Sequence, residues 1–263
     1  MWIRVINPNT TAAMTATIEV SARAVAGPGT IVDAVSPAMG PASIESHYDE
    51  ALAVPGILAE IAAGERAGVD GYVIACFGDP GLDAARELAE GPVVGIAEAA
   101  MHAATLVGRG FSVVTTLDRT RGRAADLAIR YVAAGACRGV HACDIPVLDL
   151  EGDPNVLKRV VAVSRTALDR DDSDVIVLGC AGMADLCAGV AAELGVPVID
   201  GVAAATVMVE SLVRLGLHTS ARGEYAPPPP KRYTGRLELT ERTSSGRAKL
   251  ARLKPACRLE MRG

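Results

Sequence analysis

Two stretches of the chain repeat one pattern, and this repeat limits the fold more than any other feature. The segments DGYVIACFGDPG (70–81) and SDVIVLGCAGMA (173–184) each run through apolar residues to a cysteine, then to glycine and a helical pattern. A Pro-Val strand pattern follows each segment at almost the same distance, at 92–96 and at 197–201. Repeated supersecondary patterns of this kind indicate a duplicated structural unit.

Each repeat is also preceded by a matching strand that ends on a polar residue. Ile3-Arg-Val-Ile leads into Asn7, and Phe111-Ser-Val-Val leads into Thr115. Asn7 lies 69 residues before Cys76, and Thr115 lies 65 residues before Cys180. The duplication therefore includes at least two strands in each half.

Short β-branched runs alternate with longer alanine-rich stretches through both repeats, which predicts an α/β fold with parallel sheets covered on both faces. The predicted strands are Ile3–Ile6, Thr30–Ala34, Gly71–Ala75, Val93–Ile96, Phe111–Thr115, His141–Ile145, Asp174–Leu178 and Val196–Ile199. The predicted helices are Thr11–Val25, Ser46–Ala67, Pro80–Ala89, Glu98–Val107, Thr120–Ala134, Pro154–Leu168, Met183–Leu194 and Ala203–Leu215. We expect two pseudo-symmetric three-layer α/β/α halves with mainly parallel sheets.

The expected division of the chain follows from this repeat. Residues 1–97 with about 208–235 form the first half, and residues 98–207 form the second. Residues 236–263 follow a proline-rich segment and hold eight Lys/Arg and three Glu, a net charge of +5, whereas residues 1–235 carry −10. We expect 236–263 to be a basic, disordered tail.

Composition excludes several classes of protein. Only 3% of the residues are aromatic and the net charge is −5, which disfavours nucleic-acid binding. Three apolar stretches, Pro92–Gly108, Val175–Ala192 and Val196–Val213, each contain an acidic residue and turn signals, so we expect buried α/β elements instead of membrane spans. Six cysteines without an export signal indicate free thiols, and we expect a cytoplasmic protein.

Four polar side chains follow strands of the two predicted sheets. In open parallel sheets, ligands bind beyond the carboxyl ends of the strands. Asn7, Cys76, Thr115 and Cys180 all lie at such ends. If the two halves face each other, these groups meet in one cleft with a cysteine on each wall, and we expect the active site there.

Two cysteines on opposite walls suit one kind of chemistry. Inverting a carbon stereocentre by proton transfer needs a base on one face and an acid on the other, and a thiolate and a thiol can exchange these roles. A helix N-terminus lowers a thiol pKa. After Cys76, the sequence predicts Asp79 as the N-cap and Pro80 as the first residue of such a helix.

Other chemistries lack the residues they need. Cys137, Cys143, Cys187 and Cys257 have no comparable setting, so we interpret them as packing or surface thiols, and Cys137, His141 and Cys143 lack a fourth metal ligand. The chain has no GxGxxG, P-loop or GxSxG motif, and none of its four lysines lies in the first 157 residues. We therefore expect cofactor-free chemistry and no metal.

Taken together, these motifs resemble those of hydantoin racemases in the aspartate/glutamate racemase superfamily. The resemblance covers about residues 1–234 and rests on the segments Asn7-Pro-Asn-Thr-Thr, Cys76-Phe-Gly-Asp-Pro-Gly-Leu, Pro92-Val-Val-Gly-Ile-Ala-Glu-Ala, Cys180-Ala-Gly-Met, Pro197-Val-Ile-Asp-Gly-Val and Thr219-Ser-Ala-Arg-Gly-Glu-Tyr-Ala-Pro. It implies catalytic cysteines at Cys76 and Cys180, no cofactor, and a homo-oligomer that is a tetramer or larger.

The expected reaction is racemisation of 5-substituted hydantoins at C5, a carbon whose carbanion delocalises into the adjacent carbonyl. We expect the substrate to be held by Asn7, Phe77, Gly78, Thr115, Thr116, Ala181 and Gly182. Amino-acid racemases of the superfamily carry an aspartate where this chain has Asn7, which disfavours a free amino acid. The alternatives are racemisation of allantoin or of an amino acid (aspartate or glutamate), a one-cysteine decarboxylase or isomerase, and a non-catalytic small-molecule sensor.

Overall fold

Two parallel β-sheets of four strands each form the framework of the molecule. The computed structural model describes residues 1–131, 133–232 and 234. The strands in this part of the chain are β1 (Trp2–Ile6), β2 (Ile31–Val35), β3 (Gly71–Ile74), β4 (Val93–Gly95), β5 (Phe111–Thr115), β6 (Cys137–Ala142), β7 (Val175–Leu178) and β8 (Val198–Ile199).

Helices follow most of the strands and cover the sheets. They are α1 (Ala12–Val25), α2 (His47–Ala67), α3 (Leu82–Leu88), α4 (Ile96–Val107), α5 (Arg121–Arg130), α6 (Val156–Asp171), α7 (Cys187–Leu194) and α8 (Gly201–Arg214). Short 3₁₀ turns span Asp118–Thr120, Val147–Asp149, Ala181–Leu186 and Gly223–Tyr225.

The two sheets have the same topology, which confirms the predicted duplication of an α/β unit. Their strand orders are β2-β1-β3-β4 and β6-β5-β7-β8, and every pairing is parallel. Ile6 pairs with Ile74 at the end of the first central pair, and Val114 pairs with Leu178 at the end of the second. The residues that follow these positions therefore leave equivalent edges of the two sheets.

Aliphatic side chains fill the space between sheets and helices. The first core joins Ile3, Val5 and Ile57 to residues of both sheets, including Phe111 and Val175, and the second core lies around Ile176. Helix α8 packs on α1 and α4, and α4 also contacts β7. Because α4 and α8 link the two sheets, the first core extends through both halves.

One strand lies earlier in the chain than the sequence predicts. The sequence predicts His141–Ile145, but β6 spans Cys137–Ala142. β6 is an edge strand with partly exposed side chains, so its first residues lack the apolar run that marks a buried strand. The chain then leaves the sheet at Asp144, which has a positive φ of 52° and comes shortly before Pro146.

The three apolar stretches form strands and helices, as predicted, but only Val190 of α7 is buried and β8 is half-buried. They correspond to β4 with α4, β7 with α7, and β8 with α8. Within the part of the chain that the structure describes, none of the helices is long and apolar enough to cross a bilayer. The expected tail at 236–263 lies outside the described residues, and the boundaries between the halves stay a prediction.

A glycine-to-alanine pair tests the contact between α4 and α8. A Cβ at Gly201 would lie 2.6 Å from the Ile96 carbonyl oxygen, whereas a Cβ at Gly122 in α5 meets nothing within 4 Å. Gly201→Ala should therefore destabilise the protein by about 1–3 kcal/mol through overpacking. Gly122→Ala should stabilise it by roughly 0.5–1 kcal/mol through helix propensity. Urea unfolding measures both, and equal effects would contradict the packing described here.

Candidate active site

A cavity of about 180 Å³ lies beyond the carboxyl ends of the central strands of both sheets. Residues from each half line it, so it occupies the position predicted for the cleft. The lining residues are Asn9, Met14, Ile44, Glu45, Ser46, His47, Glu50, Ala75, Cys76, Phe77, Gly78, Thr115, Thr116, Arg119, Thr120, Arg123, Ala124, Val147, Gly179, Cys180 and Ala181.

The two cysteines enter this cavity from equivalent positions. Cys76 follows β3 after one residue, and Cys180 follows β7 after one residue. Both are half-buried free thiols, and they lie close enough that charge on Cys180 raises the pKa of Cys76. The parallel sheets thus bring one thiol to each wall of a single cavity.

Most of the other predicted residues also reach the cavity. Phe77, Gly78, Thr115, Thr116 and Ala181 line it together with the cysteines. The Thr115 hydroxyl donates to the Gly179 carbonyl at 3.3 Å, which ties the end of β5 to the turn before Cys180.

Asn7 and Gly182 are not among the lining residues. Asn7 is fully buried, and its Nδ2 donates to Asn9 Oδ1 at 2.9 Å and to Thr15 Oγ1 at 3.0 Å. Asn7 thus holds Asn9, which lines the cavity in its place. Gly182 packs behind Cys180, where a Cβ would lie 3.7 Å from the Cys180 sulfur.

The predicted helix cap after Cys76 is wrong. α3 begins only at Leu82, after Gly81, and Asp79 has a positive φ of 44°. The Asp79 carboxylate instead caps α4, because it accepts the N–H groups of Ala97 and Glu98 at 3.1 and 2.9 Å. The fold brings Asp79 to α4, and no local pattern at 76–81 reveals that partner.

Burial controls the protonation of both thiols. It raises the pKa of Cys76 well above its usual range, and it raises the pKa of Cys180 to about 12. Backbone N–H groups at Gly78 and Gly182 lower these values, but less than burial raises them. The net pKa shift of both thiols is therefore upward, contrary to the lowering by a helix N-terminus that was expected after Cys76.

Several cavity residues were missed from the sequence. Ile44, Glu45, Ser46, His47 and Glu50 come from the loop before α2 and from its first turn. The capping signal was present, since Ser46 Oγ accepts the Asp49 N–H at 3.2 Å. This local signal does not reveal where the loop lies in the fold. Its position is set by a hydrogen bond from the second half, in which the Val147 N–H donates to Glu45 Oε1 at 2.7 Å.

The remaining cysteines within the described residues lie outside the cavity lining. The thiols of Cys137, Cys143 and Cys187 donate to the carbonyls of Gly139, Thr116 and Val198, respectively. His141 pairs with the Asp171 carboxylate at 2.6 Å. Over residues 1–131, 133–232 and 234, no group of three or more His, Cys, Asp or Glu side chains could hold a metal ion.

Comparison with known proteins identifies the family to which this architecture belongs. The Asp/Glu/hydantoin racemase family model matches residues 3–209, which include both cysteine motifs. The chain belongs to this family. It is therefore an isomerase of the racemase type, and its two-sheet α/β architecture is that of the superfamily.

Similar proteins in the family cover almost the whole chain. The hydantoin racemase of Rhizobium meliloti is 50% identical over 236 residues, which are 89% of this chain and 98% of the relative. The hydantoin racemase of Pseudomonas sp. (strain NS671) is 47% identical over 239 residues, 90% of this chain and 96% of that protein. The structure of an allantoin racemase from Klebsiella pneumoniae is 54% identical, with a TM-score of 0.90, and covers 92% of this chain and 99% of its own.

The buried Asp79 carboxylate predicts a pH-dependent contribution to stability. Burial raises the pKa of Asp79 to about 6. Hydrogen bonds to the carboxylate, including one from the Tyr131 hydroxyl at 2.7 Å, lower the pKa but do not cancel the effect of burial. The unfolded value is about 3.9, so the folded protein binds this proton more tightly. Asp79 thus contributes stability below that unfolded pKa, and the contribution is lost as the pH rises through the folded pKa.

Asp79→Asn removes this titration. Measured by urea unfolding, the stability of wild type relative to Asp79→Asn should decrease from about pH 4 to about pH 7. Asp83→Asn is the control: Arg130 lowers the pKa of Asp83 against the effect of burial, so the stability difference for this variant should stay nearly constant from about pH 4 to about pH 7 and be lost only at lower pH. A pH-independent difference for Asp79→Asn would contradict the assignment.

Proposed function

We propose that the protein racemises 5-substituted hydantoins at C5, with Cys76 and Cys180 as the two proton-transfer groups. The observation that supports this most directly is the placement of one thiol at each of two equivalent strand ends around one cavity. The relatives named hydantoin racemase and allantoin racemase support a substrate that contains a hydantoin ring, because allantoin is a hydantoin with a ureido group at C5.

The proposed step moves one proton in and one proton out. A thiolate on one wall removes the C5 hydrogen and becomes a thiol, and the electron pair of the broken bond delocalises into the ring carbonyl as an enolate. The thiol on the other wall protonates C5 from the opposite face and becomes the thiolate. The two cysteines exchange roles in each turnover, so no cofactor or external acid is required.

The raised pKa values of the thiols fit a demanding proton abstraction. A thiol that holds its proton tightly yields a thiolate that is a strong base, which suits a carbon acid. The N–H groups of Gly78 and Gly182 offset part of the cost of forming each thiolate. The free enzyme would contain only a small fraction of thiolate near neutral pH.

Polar groups around the cavity would hold the ring and the developing enolate. Asn9, Thr115 and Thr116 line it near the cysteines, and main-chain groups at Gly78 and Ala181 complete the walls. Donors directed at the enolate oxygen stabilise the transition state more than the ground state. Asn7 would act on the substrate indirectly, through its hydrogen bond to Asn9.

A free amino acid fits this site less well. Asn7 is a neutral amide, and its side chain is engaged by Asn9 and Thr15 behind the cavity wall. The cavity therefore has no carboxylate from this strand end to assist a cysteine, and a more acidic carbon such as hydantoin C5 suits unassisted thiols.

The expected homo-oligomer of four or more subunits and the cytoplasmic location stay predictions.

Serine variants test the two-thiol mechanism. Cys76→Ser and Cys180→Ser should each lower racemisation of a single-enantiomer hydantoin, followed by optical rotation, by about 10²–10⁴-fold. In heavy water, each variant should still exchange the C5 hydrogen of one enantiomer without inversion, and the two variants should act on opposite enantiomers. Cys187→Ser, which changes a thiol outside the cavity, should racemise like wild type.

Two outcomes would contradict this proposal, and a third would invalidate the control. Full racemisation by either cysteine variant would exclude the two-thiol mechanism. Absence of C5 exchange in wild type would indicate a non-catalytic binding protein. Loss of activity in Cys187→Ser would mean that thiol substitutions disturb the fold generally.

Allantoin is the second candidate substrate, favoured by the 54% identity to the allantoin racemase. The cavity offers polar groups such as Glu45 and Ser46 that could pair with a ureido substituent. A panel of aliphatic, aromatic and ureido hydantoins distinguishes the cases by kcat/KM. We expect conversion of all three classes, because they share the ring and C5, and conversion of the ureido compound alone would narrow the enzyme to allantoin.

A further inference from the structure

The turn after Cys76 receives a hydrogen bond from the opposite half of the molecule. Arg123 Nη2 donates to the Gly78 carbonyl oxygen at 2.6 Å. Arg123 lies on α5, which packs against β6 of the second sheet, whereas Gly78 follows β3 of the first. The contact therefore crosses between the two walls of the cavity.

Glu50 completes a three-way contact at this point. Its Oε2 lies 3.3 Å from Arg123 Nε, and both side chains are mostly buried. The Glu50 carboxylate also occupies the space beside the Gly78 Cα, so that a Cβ at residue 78 would collide with it. Elements α2 and α5 and the turn after Cys76 thus meet at these three residues.

This contact bears on Cys76 through the turn that follows it. The Asp79 N–H belongs to the same peptide unit as the Gly78 carbonyl and donates to the Cys76 carbonyl oxygen at 2.9 Å, which closes the turn. The Gly78 N–H lies inside this turn, where it lowers the pKa of Cys76. Glycine has no side chain to restrict its φ and ψ, so the orientation of its N–H needs support from neighbouring groups. Arg123 supplies that support by holding the Gly78 carbonyl, and with it the peptide unit whose N–H closes the turn onto Cys76.

From this geometry we propose that Arg123 is a positioning residue for Cys76. By holding the Gly78 carbonyl, it keeps closed the turn that presents the Gly78 N–H to the Cys76 sulfur, and by pairing with Glu50 it neutralises a carboxylate that lines the same cavity. Glu50 in turn orients the guanidinium. The proposal rests on the function proposed above, in which Cys76 is one of the two proton-transfer groups.

A second ion pair on the same helix provides a matched control. Arg130 also lies on α5 and pairs across the halves with Asp83 of α3 at 2.7 Å. It does not line the cavity and makes no hydrogen bond to the turn after Cys76. Arg130→Met therefore removes a cross-half ion pair of the same type without touching Gly78.

The test compares alkylation of the two cysteines by iodoacetamide, without substrate, followed by peptide mass spectrometry across a pH series. The charged or titratable groups that influence Cys76 are Glu50, Asp79 and Cys180. Arg123→Met removes the support of the Gly78 N–H and leaves Glu50 unneutralised, and both changes disfavour the Cys76 thiolate. Cys76 should react about tenfold more slowly at a given pH, equivalent to one pKa unit, while Cys180 keeps its rate.

The outcomes separate a positioning role from a structural one. Arg130→Met should leave both alkylation profiles unchanged. In Arg123→Met, kcat for racemisation should fall with little change in KM. An unchanged Cys76 profile, or equal slowing of Cys76 and Cys180, would overturn the proposal.

A conservative variant covers the case in which Arg123→Met does not fold. Arg123→Lys keeps the charge, but a single ammonium cannot reproduce the geometry that serves both Gly78 and Glu50. Cys76 should then react more slowly than in wild type, with Cys180 unchanged, and a wild-type profile would overturn the proposal. If Cys76 shifts as expected but wild type racemises no hydantoin, the proposed function fails and the positioning role stands.

Discussion

Parallel pairing of the central strands is the constraint on which the rest of the molecule depends. β1 pairs with β3 and β5 pairs with β7, both in parallel, so the chain leaves each pair at the same edge of its sheet. Cys76 and Cys180 leave at these edges, and α4 and α8 join the two sheets into one core. A shift in either pairing would move a thiol away from the cavity, because the register of these strands sets where each cysteine leaves its sheet.

The two walls share a topology but differ in their electrostatic surroundings. The charges of Glu50, Asp79 and Cys180 raise the pKa of Cys76, whereas those of Cys143 and Glu45 raise the pKa of Cys180. Burial dominates at both sites, and a backbone N–H opposes it at both. The duplicated scaffold thus preserves the backbone donor at each thiol, while the charged neighbours have diverged.

Local patterns predicted the elements of this structure well where those elements are buried. The apolar runs at β3 and β7 and the repeat around the cysteines carry that information in a few consecutive residues. The edge strand β6 was displaced because half-exposed residues have no such signature. The roles of Asp79, Glu50 and Arg123 were missed for a different reason: each contacts a partner at least 18 residues away in sequence, and only the folded chain brings those partners together.

The proposed mechanism requires that mirror-image substrates share one cavity. In the proposed mechanism, a planar ring lies between the walls, and the two enantiomers differ only in which wall the C5 substituent approaches. Each wall must therefore accept that substituent beside its own sulfur. The residues that follow the thiols differ between the walls, since Phe77 and Gly78 line the cavity after Cys76, whereas Ala181 lines it after Cys180. In that mechanism, acceptance of both enantiomers depends on the side chains that flank each thiol, and a bulkier side chain at Ala181 would favour one enantiomer over the other.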